Sequence, residues 1–144
     1  MLVTGAASGL GAAIAHAGVA AGYRVGSFDL VAGPASAGEG IAWYIGSVGD
    51  AAAFDAALSD FGVPDGRVNT AGIVRFGALA ELPLSDWQSV VDVNLTGTFV
   101  IAQAVAKRWI AAGRAGVIVN VTSINGVVAG PRSGAYGATK AAVA

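Results

Sequence analysis

A short β-type apolar run, a glycine-containing turn and a helical stretch recur along this chain. Leu2–Val3 reads as the stub of a strand. Gly11 to Ala21 reads as an Ala-rich helix that ends at Gly22, a residue suited to the position just past a helix. Tyr23 to Phe28 is a second strand, closed by Asp29. Val31 to Gly40 is a small-residue loop, and Ile41 to Ile45 a third strand. Asp50 to Phe61 is helical, with Asp50 as N-cap. Val68 lies in a short fourth strand. Ser85, with Gln88 three residues on, predicts a capping box that opens a helix running to Ala112. Val117 to Val121 is the fifth strand, and a last helix begins near Ser133–Tyr136. Strands that are apolar on both faces, alternating with helices, imply a parallel sheet covered on both sides. Right-handed crossovers then give a doubly wound α/β fold in one domain, residues 1–144.

Composition excludes several classes. The 144 residues are 55% hydrophobic and 12% charged, with a formal charge of -1, which is the opposite of a disordered chain. Two lysines and six scattered arginines form no basic stripe, so no nucleic-acid partner is expected. No apolar run reaches the ~18–20 residues a bilayer requires, so no membrane partner is expected. The absence of cysteine removes disulfides, thiolate nucleophiles and Cys-based zinc sites. His16 is the one histidine, so no metal site is expected, and His16 itself reads as a surface or packing residue. The N-terminus lacks the basic region of a signal peptide. The expectation is a soluble, cytoplasmic protein.

The first turn carries the strongest chemical signal. Thr4-Gly5-Ala6-Ala7-Ser8-Gly9-Leu10-Gly11 lies between the first strand and the first helix. Gly5 permits a tight turn, Gly9 removes a side chain where backbone approaches a pyrophosphate, and Gly11 lets the helix pack closely. The helix start then offers free N–H groups and a positive dipole end to phosphates. A glycine-rich turn without a ligand is the plainer alternative, weakened by the strand–loop–helix order. Asp29 closes the second strand, where such folds place a carboxylate that accepts hydrogen bonds from the adenosine ribose. A 2′-phosphate would meet a like charge there, so NAD is expected over NADP.

Tyr136 and Lys140 stand four apart, hence on one helix face. A free phenol titrates near 10, and one ammonium about 4 Å away at an effective dielectric of about 20 contributes about 4 kcal/mol. That is enough to make a phenol a usable general base in oxidation and general acid in reduction. Taken alone, such a pair is more often a surface pair. Ser123 falls just past the fifth strand, at the sheet end where open α/β folds bind ligands, and is placed to orient a substrate oxygen; a turn-initiating serine is the alternative. Asn94 lies inside the long fourth helix, where Asn is a mediocre helix former. It reads as an exposed residue, a kink or a water site.

Together these residues resemble the short-chain dehydrogenase/reductase family, in its single-domain Rossmann form. Thr4 to Gly11 is similar to the family's TGxxxGxG cofactor loop, and Asn69-Thr70-Ala71-Gly72 to its NNAG segment. Asn94, Ser123, Tyr136 and Lys140 fall in the order of its catalytic tetrad. The resemblance implies a Rossmann-like sheet and hydride transfer between NAD(H) and a secondary alcohol or carbonyl. Tyr136 would exchange the proton with the substrate oxygen. Lys140 would favour its phenolate and bind the nicotinamide ribose. Ser123 would hold the substrate oxygen, and Asn94 a water linked to Lys140. Gly5, Ser8, Gly9, Leu10, Gly11, Asp29, Asn69, Ala71 and Gly72 would join Tyr136 and Lys140 in binding the cofactor. The family also implies a homo-oligomer at full length.

The chain departs from that pattern in four places. Thr70 replaces the second Asn of NNAG. Arg67 stands where the family has an aliphatic residue, and an unpaired charge in a central strand is costly. An acidic residue after the third strand is replaced by Ser47 or its neighbours. Both ends look cut, so two further strands and a substrate lid are expected to be missing and the fifth strand's edge to be left open and apolar. The competing readings are a non-catalytic nucleotide-binding module or inactive dehydrogenase fragment, and an epimerase or dehydratase on the same fold. Trp43, Trp87 and Trp109 read as packing residues, and Arg75 and Arg132 as solvated arginines flanking the cleft.

Overall fold

The computed structural model describes residues 1–33, 40–128 and 130–144. Five parallel strands form one sheet. They are β1 (Leu2–Thr4), β2 (Val25–Asp29), β3 (Ile41–Ile45), β4 (Gly66–Asn69) and β5 (Val117–Asn120), in the order β3-β2-β1-β4-β5. The chain starts at the middle, winds outward to β3, then returns past β1 to build the other half. This is the doubly wound α/β arrangement the alternation predicts. The direction of winding reverses between β1 and β4, and folds of this kind open a ligand crevice at the strand ends there.

Helices α1 (Gly9–Ala20), α2 (Ala51–Phe61), α3 (Leu84–Val91), α4 (Gly97–Ala111) and α5 (Gly134–Val143) complete the fold. The alternation of side chains along each strand sorts the core into two clusters. Leu2 and Phe28 pack with Phe54 and Leu58 of α2 and with Ile101 and Val105 of α4. Val3 and Val25 pack on the opposite face with Ala15 of α1. Phe28 and Phe54 meet edge to face, with ring centroids 5.0 Å apart, a favoured aromatic geometry. Asp50 caps α2 as expected, its carboxylate accepting from the N–H groups of Ala52 and Ala53 at 3.0 Å each.

Several expectations need correction. The capping box at Ser85 does not form: the N-cap is Pro83, two residues earlier, α3 begins at Leu84, and no side chain caps that end. The long helix is not uniform, because a π-helical turn, Asp92–Thr96, joins α3 to α4. Residues 84–111 are also long and apolar enough to span a membrane by length and composition. They instead carry Val90, Asn94, Ile101, Val105 and Trp109 into the interior. Residues 34–39 of the anticipated loop after β2 lie outside the described residues.

β5 forms one edge of the sheet, and Val117, Ile118 and Val119 are 62%, 39% and 47% exposed. An open apolar edge at this strand is what the pattern of strands led us to expect. Beneath it, Arg67 of β4 is only 1% exposed. Its guanidinium donates to Asn120 Oδ1 at 2.6 Å and to the Thr98 carbonyl at 3.3 Å, while Nε has no partner. The anticipated buried charge is thus partly satisfied by neutral acceptors. Burial still lowers its pKa to about 10.

Candidate active site

The turn after β1 is held by contacts from three other segments. Gly5 N donates to the Phe28 carbonyl at 2.9 Å. Gly5 sits at φ 68°, and a Cβ there would lie 2.7 Å from the backbone of Ala71, so both conformation and space require glycine. A Cβ on Gly11 would collide with the Gly5 carbonyl and the Thr70 hydroxyl. Gly9, by contrast, faces open space. The Thr70 hydroxyl donates to the Thr4 carbonyl at 2.6 Å, with the Gly5 carbonyl at 3.3 Å. The departure from NNAG therefore keeps a side-chain tie between the β1 turn and the end of β4.

Asp29, at the end of β2, braces the same turn. One carboxylate oxygen accepts from Ala7 N at 2.8 Å and the other from Leu30 N at 2.7 Å. A carboxylate has about four lone-pair sites, so acceptor capacity remains. Ser8, at the N-cap of α1, makes no side-chain cap bond, which leaves the first N–H groups of that helix free for an external anion.

The second half of the site is built by the π-helical turn and α5. Asn94 is 1% exposed. Its Oδ1 accepts from Ile73 N at 2.8 Å, and its Nδ2 donates to the Ile73 carbonyl at 2.9 Å and to Thr139 Oγ1 at 3.2 Å. Asn94 is thus neither exposed nor idle: it clamps the segment after β4. Lys140 is 4% exposed and donates to the Val121 carbonyl at 2.7 Å. Burial lowers its pKa from the usual lysine value. The ammonium lies 5.7 Å from the centroid of the Tyr136 ring. A Cβ on Gly72 would stand 3.4 Å from Asn94 Oδ1 and 3.6 Å from Lys140 Nζ, which places those two groups on either side of the same small gap.

A crevice of about 650 Å³ joins the two halves, within the size range of small-molecule sites. Gly5, Ser8, Gly9, Leu10, Gly11 and Asp29 line it, and so do Ala71, Gly72, Tyr136 and Lys140. Three expected residues do not. Asn69 turns into the sheet, where its Oδ1 accepts from Thr4 Oγ1 and its Nδ2 donates to Thr98 Oγ1, each at 2.6 Å. Its side chain is committed to tying β1, β4 and α4 together. Asn94 acts from behind the wall through Ile73. Ser123 starts a 3₁₀ turn, Ile124–Gly126, and its hydroxyl accepts from Asn125 N at 3.2 Å. Its neighbours Thr122 and Asn125 line the crevice.

Sequence reasoning missed Thr139, Asn125 and Thr98. Thr139 stands beside Lys140 inside a helix, where a β-branched residue is a poor choice on propensity alone, and that was the available signal. Arg75 and Arg132 are exposed and lie outside the crevice lining. His16 is exposed. Trp109 is buried and donates to the Pro64 carbonyl. Among the described residues no cluster of His, Asp or Glu is grouped to hold a metal.

The short chain dehydrogenase family model matches residues 1–144. The chain belongs to the short chain dehydrogenase family. Among curated members it is 43% identical to a D-threitol dehydrogenase of Mycolicibacterium smegmatis, over 96% of this chain and 58% of that protein. It is 36% identical to a 3-oxoacyl-[acyl-carrier-protein] reductase of Synechocystis, over 99% of this chain and 62% of that one. The chain therefore spans about three fifths of the length of these relatives. Among solved structures, a short chain dehydrogenase of Leptospira borgpetersenii with bound NAD+ superposes with a TM-score of 0.92 at 25% identity, covering 99% of this chain and 60% of that one. A 4-hydroxyisoleucine dehydrogenase complexed with NADH and succinate gives a TM-score of 0.89 at 28% identity, covering 99% of this chain and 67% of that one.

Proposed function

We propose that this short chain dehydrogenase domain serves an NAD(H)-dependent oxidoreductase that interconverts a secondary alcohol and a carbonyl, with Tyr136 as general acid and base. One observation carries the reading. Tyr136 and Lys140 line the same crevice as the glycine turn and Asp29, although more than a hundred residues separate the two groups in sequence.

The residues present fit a dinucleotide. The open side of Gly9, the uncapped start of α1 and the spare acceptor capacity of Asp29 form a cradle for a diphosphate and an adjoining diol. When bound, the nicotinamide supplies hydride acceptance or donation. Asp29 favours ribose hydroxyls over a 2′-phosphate, because a second anion there would meet its carboxylate.

The protein's own contribution is proton handling and position. Tyr136 takes the hydroxyl proton during oxidation and returns it during reduction. The buried Lys140 ammonium stabilises the phenolate that this exchange creates. The Ser123 hydroxyl accepts a bond from Asn125 N, which leaves its hydrogen uncommitted next to the crevice-lining Thr122 and Asn125. Asn94 fixes the crevice wall at Ile73 and stands beside the gap next to Lys140.

The second reading is a nucleotide-binding module without turnover. The open β5 edge next to the Tyr136 side of the crevice favours it for residues 1–144 in isolation. A panel of secondary alcohols and ketones, followed by NADH absorbance with the intact gene product, separates the two. Turnover that Tyr136→Phe abolishes supports the oxidoreductase. NADH binding without turnover supports the module. Conversion with no net NADH change points to an epimerase or dehydratase.

A further inference from the structure

Thr139 lies between Tyr136 and Lys140 in α5, but its side chain packs against Asn94 and does not line the crevice. It is 2% exposed. Its hydroxyl donates to the Tyr136 carbonyl at 2.8 Å and accepts from Asn94 Nδ2 at 3.2 Å. The first bond, to the residue three positions back in the same helix, fixes the side-chain rotamer. With the hydrogen committed there, a lone pair is left facing Asn94. Only a hydroxyl can donate to one partner and accept from the other through a single atom.

The Asn94 amide that Thr139 receives is itself fixed. It is gripped at both ends by the backbone of Ile73, which lies in the crevice wall. It projects from the π-helical turn rather than from a regular helix, and such turns re-aim side chains at functional sites. The connection therefore runs from the wall segment through Asn94 to Thr139, and from Thr139 to the carbonyl of Tyr136. Lys140, the next residue, reaches the end of β5 through the Val121 carbonyl.

We propose that Thr139 is a positioning residue: it seats α5 on the Asn94 amide and so sets where Tyr136 and Lys140 stand relative to the crevice wall. This rests on the oxidoreductase reading for its effect on rate, but the contact itself does not. Thr139→Val keeps the shape and removes the hydroxyl, and Thr139→Ser restores it. Misplacing a reacting group by about an ångström costs on the order of a hundredfold, and losing one hydrogen bond shifts an equilibrium by roughly tenfold.

The test uses the intact gene product. For wild type, Thr139→Val and Thr139→Ser, we would measure kcat and KM for a secondary alcohol, the NADH dissociation constant, the thermal midpoint, and the hydrogen-exchange protection of the Asn94 side-chain amide by NMR. The expected result is a kcat lowered about tenfold to a hundredfold in Thr139→Val, with NADH affinity and the midpoint close to wild type. In that variant the Asn94 Nδ2 hydrogen facing Thr139 loses protection while the one bonded to the Ile73 carbonyl keeps it, and Thr139→Ser recovers both kcat and that protection. Wild-type kcat in Thr139→Val overturns the proposal, as does a Ser variant no better than Val, or a loss confined to NADH affinity or folding. If wild type itself turns nothing over, the oxidoreductase reading fails. The Asn94 Nδ2 hydrogen facing Thr139 then decides the seating by itself: protection there that survives in Thr139→Val overturns it, and protection lost in Val and regained in Ser upholds it.

Discussion

The glycine-turn half of the crevice and the Tyr136 half are held in place by different means. Around Gly5 several contacts converge on one place: the backbone of Phe28, the Thr70 hydroxyl and the Asp29 carboxylate all brace a single turn. It sits beside the central strand β1, whose three residues are all buried. Around Tyr136 the supports are side chains reaching across the fold, Asn94 to Ile73, Thr139 to Asn94 and Lys140 to Val121. They stand next to β5, whose four residues are all exposed. Binding and chemistry should therefore fail separately. A change in the first half should strike cofactor affinity and stability together, whereas a change in the second should strike rate first.

The largest expected effect is on the second half. Tyr136→Phe should lower kcat by about 10²- to 10⁴-fold while NADH affinity, read by fluorescence titration, stays near wild type. Equal loss of affinity would mean that the two halves are not separable. Gly5→Val comes next. It places a Cβ against Ala71 at a φ disfavoured for branched residues, so it should destabilise the fold by about 1–3 kcal/mol and abolish NADH binding, seen by denaturant titration and fluorescence. Retained binding would show that the turn is not the diphosphate cradle.

Asp29→Ala should then narrow the proposed preference for NADH over NADPH by about tenfold, about 1.4 kcal/mol, as measured by paired affinities. It should also loosen the turn through the lost Ala7 bond. An unchanged ratio would remove the carboxylate from cofactor choice.

The smallest effects concern buried cations on the Tyr136 side. Burial lowers the pKa of Lys140, so in the window between its folded value and the unfolded lysine value the unfolded chain binds more protons. Stability should therefore rise with pH across that window, and Lys140→Met should flatten the rise in urea titrations run from neutral to alkaline pH. Arg67 has the same sign, with its pKa lowered to about 10. Because it has no carboxylate partner among its bonds and an unpaired Nε, Arg67→Met should leave the midpoint unchanged or raise it, by the logic of buried charges replaced by apolar groups of similar volume. A clear fall would show that its bonds to Asn120 and Thr98 outweigh its desolvation.

The same division explains what could be read from the sequence. The strands and the Asp50 cap are set by neighbours in the chain and are legible; the glycine turn is legible from the local spacing of its glycines, although distant Phe28, Asp29 and Thr70 brace it. So is the pairing of Tyr136 with Lys140, which is helix periodicity. At Asn94 the kink reading points toward the π-helical turn, but its bonds to the backbone of Ile73, 21 residues away, are not legible. The use of Asn69 was hidden for the same reason: its partners Thr4 and Thr98 come from β1 and α4. Ser85 fails as a cap because Pro83 already turns the chain into the helix two residues earlier. Arg67 reads from the sequence as a cost, but its neutral acceptors belong to segments 31 and 53 residues distant.

The most direct measurement is a crystal structure of the intact gene product with NADH. The account predicts the diphosphate over the Gly5–Gly11 turn, the adenosine ribose on Asp29, the nicotinamide ribose at Lys140 and the nicotinamide ring beside Tyr136. A cofactor whose nicotinamide lies away from those two residues, or whose diphosphate avoids the turn, would contradict it.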